Sequence, residues 1–235
     1  MEKSALTRLS AQPADCALLS VRTKPLNVEE VRMDEFNIVL AGVGGQGILL
    51  ASEILGTAAV KEGLNVRVSE IHGMAQRGGA VVSNVRIGDK VLAPTVLEGK
   101  ADVLLGFEPL ETLRNLKFAS EKTLVLMNDE TVPPTELMRT MKKYPGLNEI
   151  TEKIHRFTRK LIVVKAADLA LKAGNILTRN VALIGALAAT GNLPVKVESL
   201  EEALRELVPA KYLEVNLKAF KLGFEAVGEN KSSRF

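Results

Sequence analysis

Residues 36–52 have the sequence FNIVLAGVGGQGILLAS, and the architecture of the chain can be worked out from them. A run of β-branched and apolar residues ends in a glycine turn, and an apolar, helix-forming run follows at once. The turn has the spacing Gly42-x-Gly44-x-x-Gly47. Glycines lack a Cβ atom and let the chain close tightly, while the free N–H groups at the start of a helix can hold an anion. Strand, turn and helix together predict the first unit of a Rossmann-like fold, with a candidate phosphate site at the turn.

Composition limits the classes of protein to which the chain can belong. Its 235 residues, 46% of them apolar and 25% charged, are typical of a globular protein with one large α/β domain, alone or with appendages. The net charge is only +3 without a basic block, so no nucleic-acid partner is expected. No apolar run approaches the roughly 18 residues of a membrane helix, and no signal peptide is recognisable. The single cysteine, Cys16, excludes a disulfide framework within the chain and points to a reducing cytoplasm.

Strand and helix patterns alternate along most of the chain. The predicted strands are residues 36–43, 64–71, 80–87, 90–93, 101–107, 123–128 and 161–165. The predicted helices are residues 46–62, 109–116, 135–143, 147–158, 166–173, 180–190, one beginning at Ser199, and 211–227. This alternation predicts an α/β, Rossmann-like three-layer domain with a mostly parallel sheet, plus a C-terminal helical extension.

Local signals place three element ends. Gly63 is expected at the position just past the first helix, where a left-handed residue closes the last turn. Gly88-Asp89 is expected to turn the chain into a short return strand, residues 90–93, paired with the preceding strand. Ser199 and Glu202 have the spacing of a capping box, in which each side chain satisfies an end amide of the other residue.

The chain is predicted to have three parts. Residues 1–34 show no sustained period and are expected to be a partly disordered N-terminal extension that contains Cys16. Residues 35–228 form the domain, whose helical part begins at about residue 178. The charged residues 229–235 are expected to be a disordered tail.

Two interpretations of the glycine turn are open from the residues alone. A dinucleotide site also needs an acid about 20 residues further on for the ribose hydroxyls, and Glu70 stands at the end of the second predicted strand. In the other interpretation the glycines only permit close packing of helix on sheet, and no ligand is bound.

The loop after that strand, residues 72–79 with the sequence HGMAQRGG, is unusually polar and rich in glycine. His72, Gln76 and Arg77 provide a switchable donor, an amide and a fixed cation. Because the loop follows the carboxyl end of a strand, it should lie beside the glycine turn. Arg77 could hold a phosphate or carboxylate with two hydrogen bonds, or pair with an acid on another chain. No nucleophile elbow, P-loop or metal-ligand spacing occurs in the sequence.

The motifs in residues 42–52 and 70–94, in this order and spacing, resemble the β subunit of indolepyruvate:ferredoxin oxidoreductase. That subunit is equivalent to the γ domain of the 2-oxoacid:ferredoxin oxidoreductases. The resemblance continues through residues 101–114 and 180–194 and covers about residues 36–228. The form MAQRGG, Met74–Gly79, is similar to the indolepyruvate branch, whereas the pyruvate branch typically has a loop of the type ERRGAP.

The resemblance implies a reaction and a division of labour. An aryl 2-oxoacid, coenzyme A and oxidised ferredoxin would give aryl-acetyl-CoA, CO2 and reduced ferredoxin. In this family the larger α subunit holds thiamine diphosphate and the [4Fe–4S] clusters and passes electrons to ferredoxin, usually in an α2β2 assembly. Iron–sulfur clusters need several Cys thiolates, which one cysteine cannot supply. This chain is therefore expected to be non-catalytic, to hold no metal and to bind no cofactor alone.

The candidate site has two groups of residues, both expected to face the α subunit. The residues expected to bind coenzyme A, at a site shared with α, are Gly42, Gly44, Gly45, Gln46, Gly47 and Arg77. The residues expected at the active-site wall or subunit interface are His72, Met74, Gln76, Gly78 and Gly79. Two alternatives stand beside this hypothesis: a stand-alone NAD(P)-binding dehydrogenase, and a pure scaffold subunit.

Overall fold

The computed structural model describes residues 35–72, 78–132 and 144–232, and within these ranges the chain forms six strands and seven α-helices. The strands are β1 (Phe36–Val43), β2 (Val66–His72), β3 (Ala80–Ile87), β4 (Val103–Gly106), β5 (Leu124–Asn128) and β6 (Leu161–Val164). The helices are α1 (Ile48–Lys61), α2 (Pro109–Arg114), α3 (Leu147–His155), α4 (Ala166–Ala173), α5 (Arg179–Ala189), α6 (Val197–Leu207) and α7 (Ala210–Ser232). The predicted N-terminal extension and the predicted helix 135–143 lie outside the described residues.

The strands form one sheet in the order β2-β3-β1-β4-β5-β6. The pairs β1–β4, β4–β5 and β5–β6 are parallel, whereas β3 is antiparallel to both β1 and β2. All strands except β3 therefore run in one direction. The prediction of a mostly parallel α/β sheet is confirmed, and the carboxyl ends of the parallel strands meet at one edge.

The central strand β1 is apolar because both of its faces are covered. Ile38 and Leu40 are fully buried in the layer that contains α1 and the C-terminal helices. Val39 and Ala41 are fully buried in the opposite layer, beneath α2 and α3. A strand buried on both faces has a nearly continuous apolar sequence, which accounts for the run that begins at Phe36.

Helix α1 ends as the sequence predicts. Gly63 has a φ of 78°, in the left-handed region. Its N–H donates to the carbonyl of Val60 at 2.9 Å, and the N–H of Leu64 donates to that of Ala59 at 3.0 Å. These two bonds make a Schellman motif, and they satisfy carbonyl groups that the end of the helix leaves open.

The predicted return strand, residues 90–93, is wrong. The sheet leaves it no room, because β3 already has β1 on one side and β2 on the other. The segment is held by a side chain instead: the Arg86 guanidinium donates to the carbonyl of Ala93 at 2.8 Å and to that of Thr95 at 3.3 Å.

The predicted capping box is also wrong, because α6 begins at Val197 and Ser199 lies within its first turn. The helix start is fixed by a contact distant in sequence: the N–H of Lys196 donates to a carboxylate oxygen of Glu62 at 2.6 Å. The last helix, α7, continues to Ser232, whereas a disordered tail was predicted from residue 229.

The C-terminal helices α5 and α7 are in contact through their backbones. The helix predicted for residues 180–190 is confirmed as buried, since residues 180–188 are all at least nine-tenths buried. A Cβ atom on Gly185 would lie 2.0 Å from the carbonyl oxygen of Phe220, and one on Gly223 would lie 1.9 Å from that of Ala182. The close approach therefore requires glycine on both helices. Within the described ranges, no helix has the length and apolarity needed to cross a lipid bilayer.

We expect Gly223→Ala to lower the free energy of unfolding by about 1–3 kcal/mol or more, because the added methyl group forces α5 and α7 apart. Gly228→Ala is the control: it lies in the same helix, and a Cβ there meets no atom within 4 Å. That change should raise stability by up to about 1 kcal/mol, since alanine favours helix. Urea unfolding measures both, and equal effects of the two substitutions would contradict the packing described.

Candidate functional site

The glycine turn lies at the carboxyl edge of the sheet, between β1 and α1. Gly45 and Gly47 have φ angles of 100° and 77°, which only glycine adopts readily. The first helical bond joins the N–H of Ala51 to the carbonyl of Gly47 at 3.1 Å. The N–H groups of Gly45 and Gly47 donate to no acceptor in the described part of the chain, so they are available to an anion.

The side chain of Gln46 is used inside the protein. Its Oε1 accepts from the N–H of Val43 at 2.8 Å, and its Nε2 donates to the carbonyl of Phe107 at 3.1 Å. The residue is 6% exposed, so both bonds are shielded from water. A Cβ on Gly42 would lie 2.6 Å from Gln46 Oε1, which leaves space only for glycine there. Gln46 and Gly42 thus set the shape of the turn.

A second buried amide extends this network along the edge. Asn128, at the end of β5, donates from Nδ2 to the same Phe107 carbonyl at 3.3 Å. Its Oδ1 accepts from the N–H of Ala166, the first residue of α4, at 3.2 Å. Two neutral side chains thereby connect the carboxyl ends of β1, β4 and β5 and the start of α4.

The end of the second motif, residues 78–79, lies beside the glycine turn. The N–H of Gly44 donates to the carbonyl of Gly79 at 2.8 Å, and the N–H of Gly78 donates to that of Gly44 at 3.4 Å. The structure therefore brings Gly44, Gly78 and Gly79 together, as expected for a loop beside the turn. His72 ends β2, and residues 73–77, with Met74, Gln76 and Arg77, lie outside the described residues.

Glu70 does not lie where a dinucleotide site needs its acid. In the usual Rossmann order the second strand is next to the first, but here β3 separates β2 from β1. Two strand spacings put β2 about 10 Å from β1. Glu70 instead lies beside the N-terminal half of α1, with its carboxylate 3.5 Å from the Ser52 hydroxyl. This arrangement disfavours the dehydrogenase alternative.

An open cleft of about 360 Å³ adjoins the glycine turn, at the lower end of the range of about 300–1,000 Å³ for small-molecule sites. One wall is the turn, and the others are the segment that leads into α5 and the junction of α6 with α7. The lining residues from these C-terminal elements are Asn175, Leu177, Thr178, Arg179, Asn180, Val208, Pro209, Tyr212 and Asn216. Sequence reasoning missed all of them as site residues.

Asn180 joins the two halves of the cleft. Its Nδ2 donates to the carbonyl of Gly47 at 3.2 Å, across 133 residues of sequence. A Cβ on Gly47 would lie 2.5 Å from that nitrogen, so glycine is required there for space as well as for φ. In the sequence, Asn180 could have been recognised as a site residue only because it is a polar amide at the start of a largely apolar helix.

The polar groups of the cleft are mostly neutral. The cation Arg179 is paired with Glu130, at 2.6 Å between nitrogen and oxygen. The lining residues include no carboxylate, histidine or thiol that could act as acid, base or nucleophile. In the described ranges, no three side chains of the metal-binding types come together. The arrangement presents donors that can hold an anionic or polar group.

A buried carboxyl lies further along the same edge. Glu108, fully buried, caps α2 by accepting from the N–H of Glu111 at 2.8 Å. Its other oxygen accepts a short hydrogen bond from the Tyr144 hydroxyl. Burial raises the pKa of Glu108, although the bonds from Tyr144 and Glu111 oppose the increase. Burial also raises the pKa of Tyr144.

Comparison with known proteins gives consistent similarities. Residues 37–226 match the family model described as pyruvate ferredoxin/flavodoxin oxidoreductase. The indolepyruvate oxidoreductase subunit IorB of Pyrococcus horikoshii is 47% identical over 198 residues, which are 84% of this chain and 98% of that protein. The pyruvate/ketoisovalerate oxidoreductases common subunit gamma of Thermococcus kodakarensis is 32% identical over 185 residues, 78% of this chain and 92% of that protein.

A solved structure agrees with these relatives. The gamma subunit of a keto/oxoacid ferredoxin oxidoreductase from Geobacter sulfurreducens superposes with a TM-score of 0.58 at 27% identity. The match covers 82% of this chain and 98% of that one. Together the similarities confirm the family resemblance inferred from residues 42–52 and 70–94.

We expect Gln46→Glu to destabilise the protein by about 1–3 kcal/mol at neutral pH, because an ionised carboxylate cannot donate to the Phe107 carbonyl. Burial should raise the folded-state pKa of the new carboxyl above its unfolded value, so stability is lost as pH rises from about 4. Asn175→Asp is the control. The oxygen of the Asn175 side chain accepts from the N–H of Leu177, and an aspartate keeps that bond. Urea unfolding at several pH values measures both, and a pH-independent effect of Gln46→Glu would contradict this role.

Glu108→Gln should gain stability relative to the parent protein as pH rises. The raised pKa means that the parent binds a proton more tightly when folded, so its stability falls above the ordinary Glu pKa of about 4.3. Glutamine can still accept from the N–H of Glu111 and can donate to the Tyr144 oxygen. Because it does not ionise, its stability does not fall as pH rises. The measurement is the difference in unfolding free energy between the two proteins at acidic and mildly alkaline pH. A difference that shrinks with rising pH would contradict the assignment.

Proposed function

Because the chain belongs to the pyruvate ferredoxin/flavodoxin oxidoreductase family, we propose that it is the small, non-catalytic subunit of an indolepyruvate:ferredoxin oxidoreductase. The complex would oxidatively decarboxylate aryl 2-oxoacids with coenzyme A, giving aryl-acetyl-CoA, CO2 and reduced ferredoxin. The branch is supported by the identity of 47% to an indolepyruvate oxidoreductase subunit, against 32% to a pyruvate/ketoisovalerate one.

The observation that carries this proposal is that the cleft has groups for binding an anion but few of the side-chain types used in catalysis. The turn presents N–H donors at a helix start, held in place by buried amides, while the lining residues include no carboxylate, histidine or thiol. Such a site can bind and position a group that reacts elsewhere. The reacting groups would therefore come from a larger partner subunit, which would hold thiamine diphosphate and the iron–sulfur clusters.

Coenzyme A is the proposed ligand of the turn, at a site shared with the partner. The N–H groups of Gly45 and Gly47 fit a phosphate, and no atom lies within 4 Å of a Cβ built on Gly45, so the turn is open on that side. Arg77 would supply a second cation, because Arg179 of the cleft is already paired with Glu130. A cleft of about 360 Å³ suits only part of so large a ligand. The turn would orient the coenzyme and exclude water from the shared site.

The loop that contains His72, Met74, Gln76, Gly78 and Gly79 would form the wall of this site or the interface with the partner. An α2β2 assembly in the cytoplasm, with electrons passing through the larger subunit to ferredoxin, completes the proposal. The scaffold alternative assigns the same partner but no ligand at the turn, so ligand dependence separates the two hypotheses.

Reconstitution tests the proposed function. The chain and a larger subunit encoded beside it should copurify, and only the complex should reduce a viologen dye with indolepyruvate and coenzyme A. Titration calorimetry of the isolated chain with NADH should show no binding. Activity of the larger subunit alone, or tight NADH binding by this chain, would overturn the proposal.

In the complex, Leu177→Glu should raise KM for coenzyme A about tenfold with little change in kcat, because the new carboxylate repels phosphate from the cleft. Leu177 is 71% exposed, so folding should be unaffected. The control is Leu92→Glu, the same change at a residue that is 89% exposed and outside the cleft. Equal KM values for the two variants would favour the scaffold alternative.

A further inference from the structure

The sheet has an open edge at β6. This strand is last in the sheet order, and no strand in the described ranges pairs with its outer side. On the inner side, the carbonyl of Lys160 accepts from Val125 N–H at 2.8 Å, and that of Val164 accepts from Asp129 N–H at 3.1 Å. In a parallel ladder the backbone groups of alternate residues face one neighbour. The N–H and carbonyl groups of Leu161 and Val163, together with the N–H of Lys165, therefore point outwards, away from β5. The carbonyl of Lys165 accepts from the N–H of Leu169 at 3.2 Å and belongs to α4.

An apolar groove of about 350 Å³ runs beside this edge, between β6, α4 and the end of α7. Its lining includes Ile162, Val163, Leu169 and Val227. The side chain of Val163 is 43% exposed, although it belongs to a strand. An open strand edge with an adjoining apolar groove is the arrangement that proteins use to bind extended segments by strand addition.

The edge is also strongly basic. Residues 156–165, which lead into β6 and form it, contain four Lys or Arg residues and no acid. The exposed side chains of Lys160, Lys165 and Lys172 form no ion pair within 4 Å in the described ranges. The acids near them are Asp168, in the groove lining, and Asp129, which interacts electrostatically with Lys165. Lysines on an edge strand normally discourage unwanted pairing. Here they flank an exposed valine and a groove, so they also favour a partner of opposite charge.

We propose that the outer edge of β6 binds an extended, acidic segment of the larger partner subunit, which adds a strand to the sheet. The backbone groups of Val163 and its outward-facing neighbours form the new ladder. The groove takes apolar side chains of the segment, and the lysines pair with its carboxylates. This inference depends on the proposed function for the existence of the partner, but not on what binds at the glycine turn.

Val163→Pro tests the ladder. Proline removes the outward N–H of Val163, while the bonds to β5 use residues 160, 162 and 164, so the sheet itself is retained. The dissociation constant of the complex with the larger subunit should rise at least about tenfold. Val163→Thr keeps the N–H and a β-branched side chain, and should change the constant by less than about twofold. Equal affinities of the two variants would overturn the proposal.

Lys165→Glu tests the charge. It should weaken the complex about tenfold, with a loss that shrinks as salt is added. Lys218→Glu is the control, since Lys218 is an exposed residue of α7 that lies about 12 Å along the helix from the groove. A similar loss for both charge reversals, or none for Lys165→Glu, would contradict an acidic partner at this edge.

Hydrogen exchange of the unmodified chain gives a result even if a variant fails to fold. The N–H groups of Leu161, Val163 and Lys165 should exchange much more slowly in the complex than in the isolated chain. If these N–H groups exchange at the same rate in the complex, the lysines serve only to prevent unwanted strand pairing at this edge. A dimer of this chain alone that protects the same groups would assign the edge to a second copy, and either result overturns the proposal. Absence of any complex would instead refute the proposed function.

Discussion

The carboxyl edge of the sheet depends on the backbone N–H and carbonyl of Phe107. Its N–H donates to the carbonyl of Ala41 at 2.7 Å, and its oxygen accepts from both Gln46 and Asn128. One buried carbonyl thus joins β1, β4 and β5. Buried polar atoms are costly to leave unpaired, so the turn, the strand ends and the start of α4 are fixed together. The N–H groups of the turn keep their positions because the neutral side chains of Gln46 and Asn128 fix the backbone around the turn through buried hydrogen bonds.

The position of β3 decides how this fold can be used. A Rossmann-like beginning is followed by an antiparallel strand inserted between β1 and β2, which moves Glu70 away from the turn. Gly78 and Gly79, which lead into β3, consequently bond to Gly44. The space that a ribose would need beside β1 is taken by protein. What remains is an open cleft completed by the C-terminal helices, to which the proposed partner subunit would add a further wall.

Features encoded in consecutive residues could be predicted from the sequence. Strand β1, the glycine turn, the end of α1 at Gly63 and helix α4 all follow from neighbouring residues, and all were found as predicted. Features that depend on distant contacts could not. Ser199 has the spacing of a capping box, yet a bond from Lys196 to Glu62 sets the start of α6. The far wall of the cleft was missed for the same reason, since Asn180 meets Gly47 only because α5 packs beside α1.

The central claim is that the glycine turn becomes a binding site only when the partner subunit is present. Hydrogen exchange of the N–H groups of Gly45, Gly47 and Ile48 tests it directly, in the isolated chain and in the complex, each with and without coenzyme A. These groups should exchange rapidly in the isolated chain whether or not coenzyme A or NADH is added, and should become protected by coenzyme A in the complex. Protection by NADH in the isolated chain, or no response to coenzyme A in the complex, would contradict the claim.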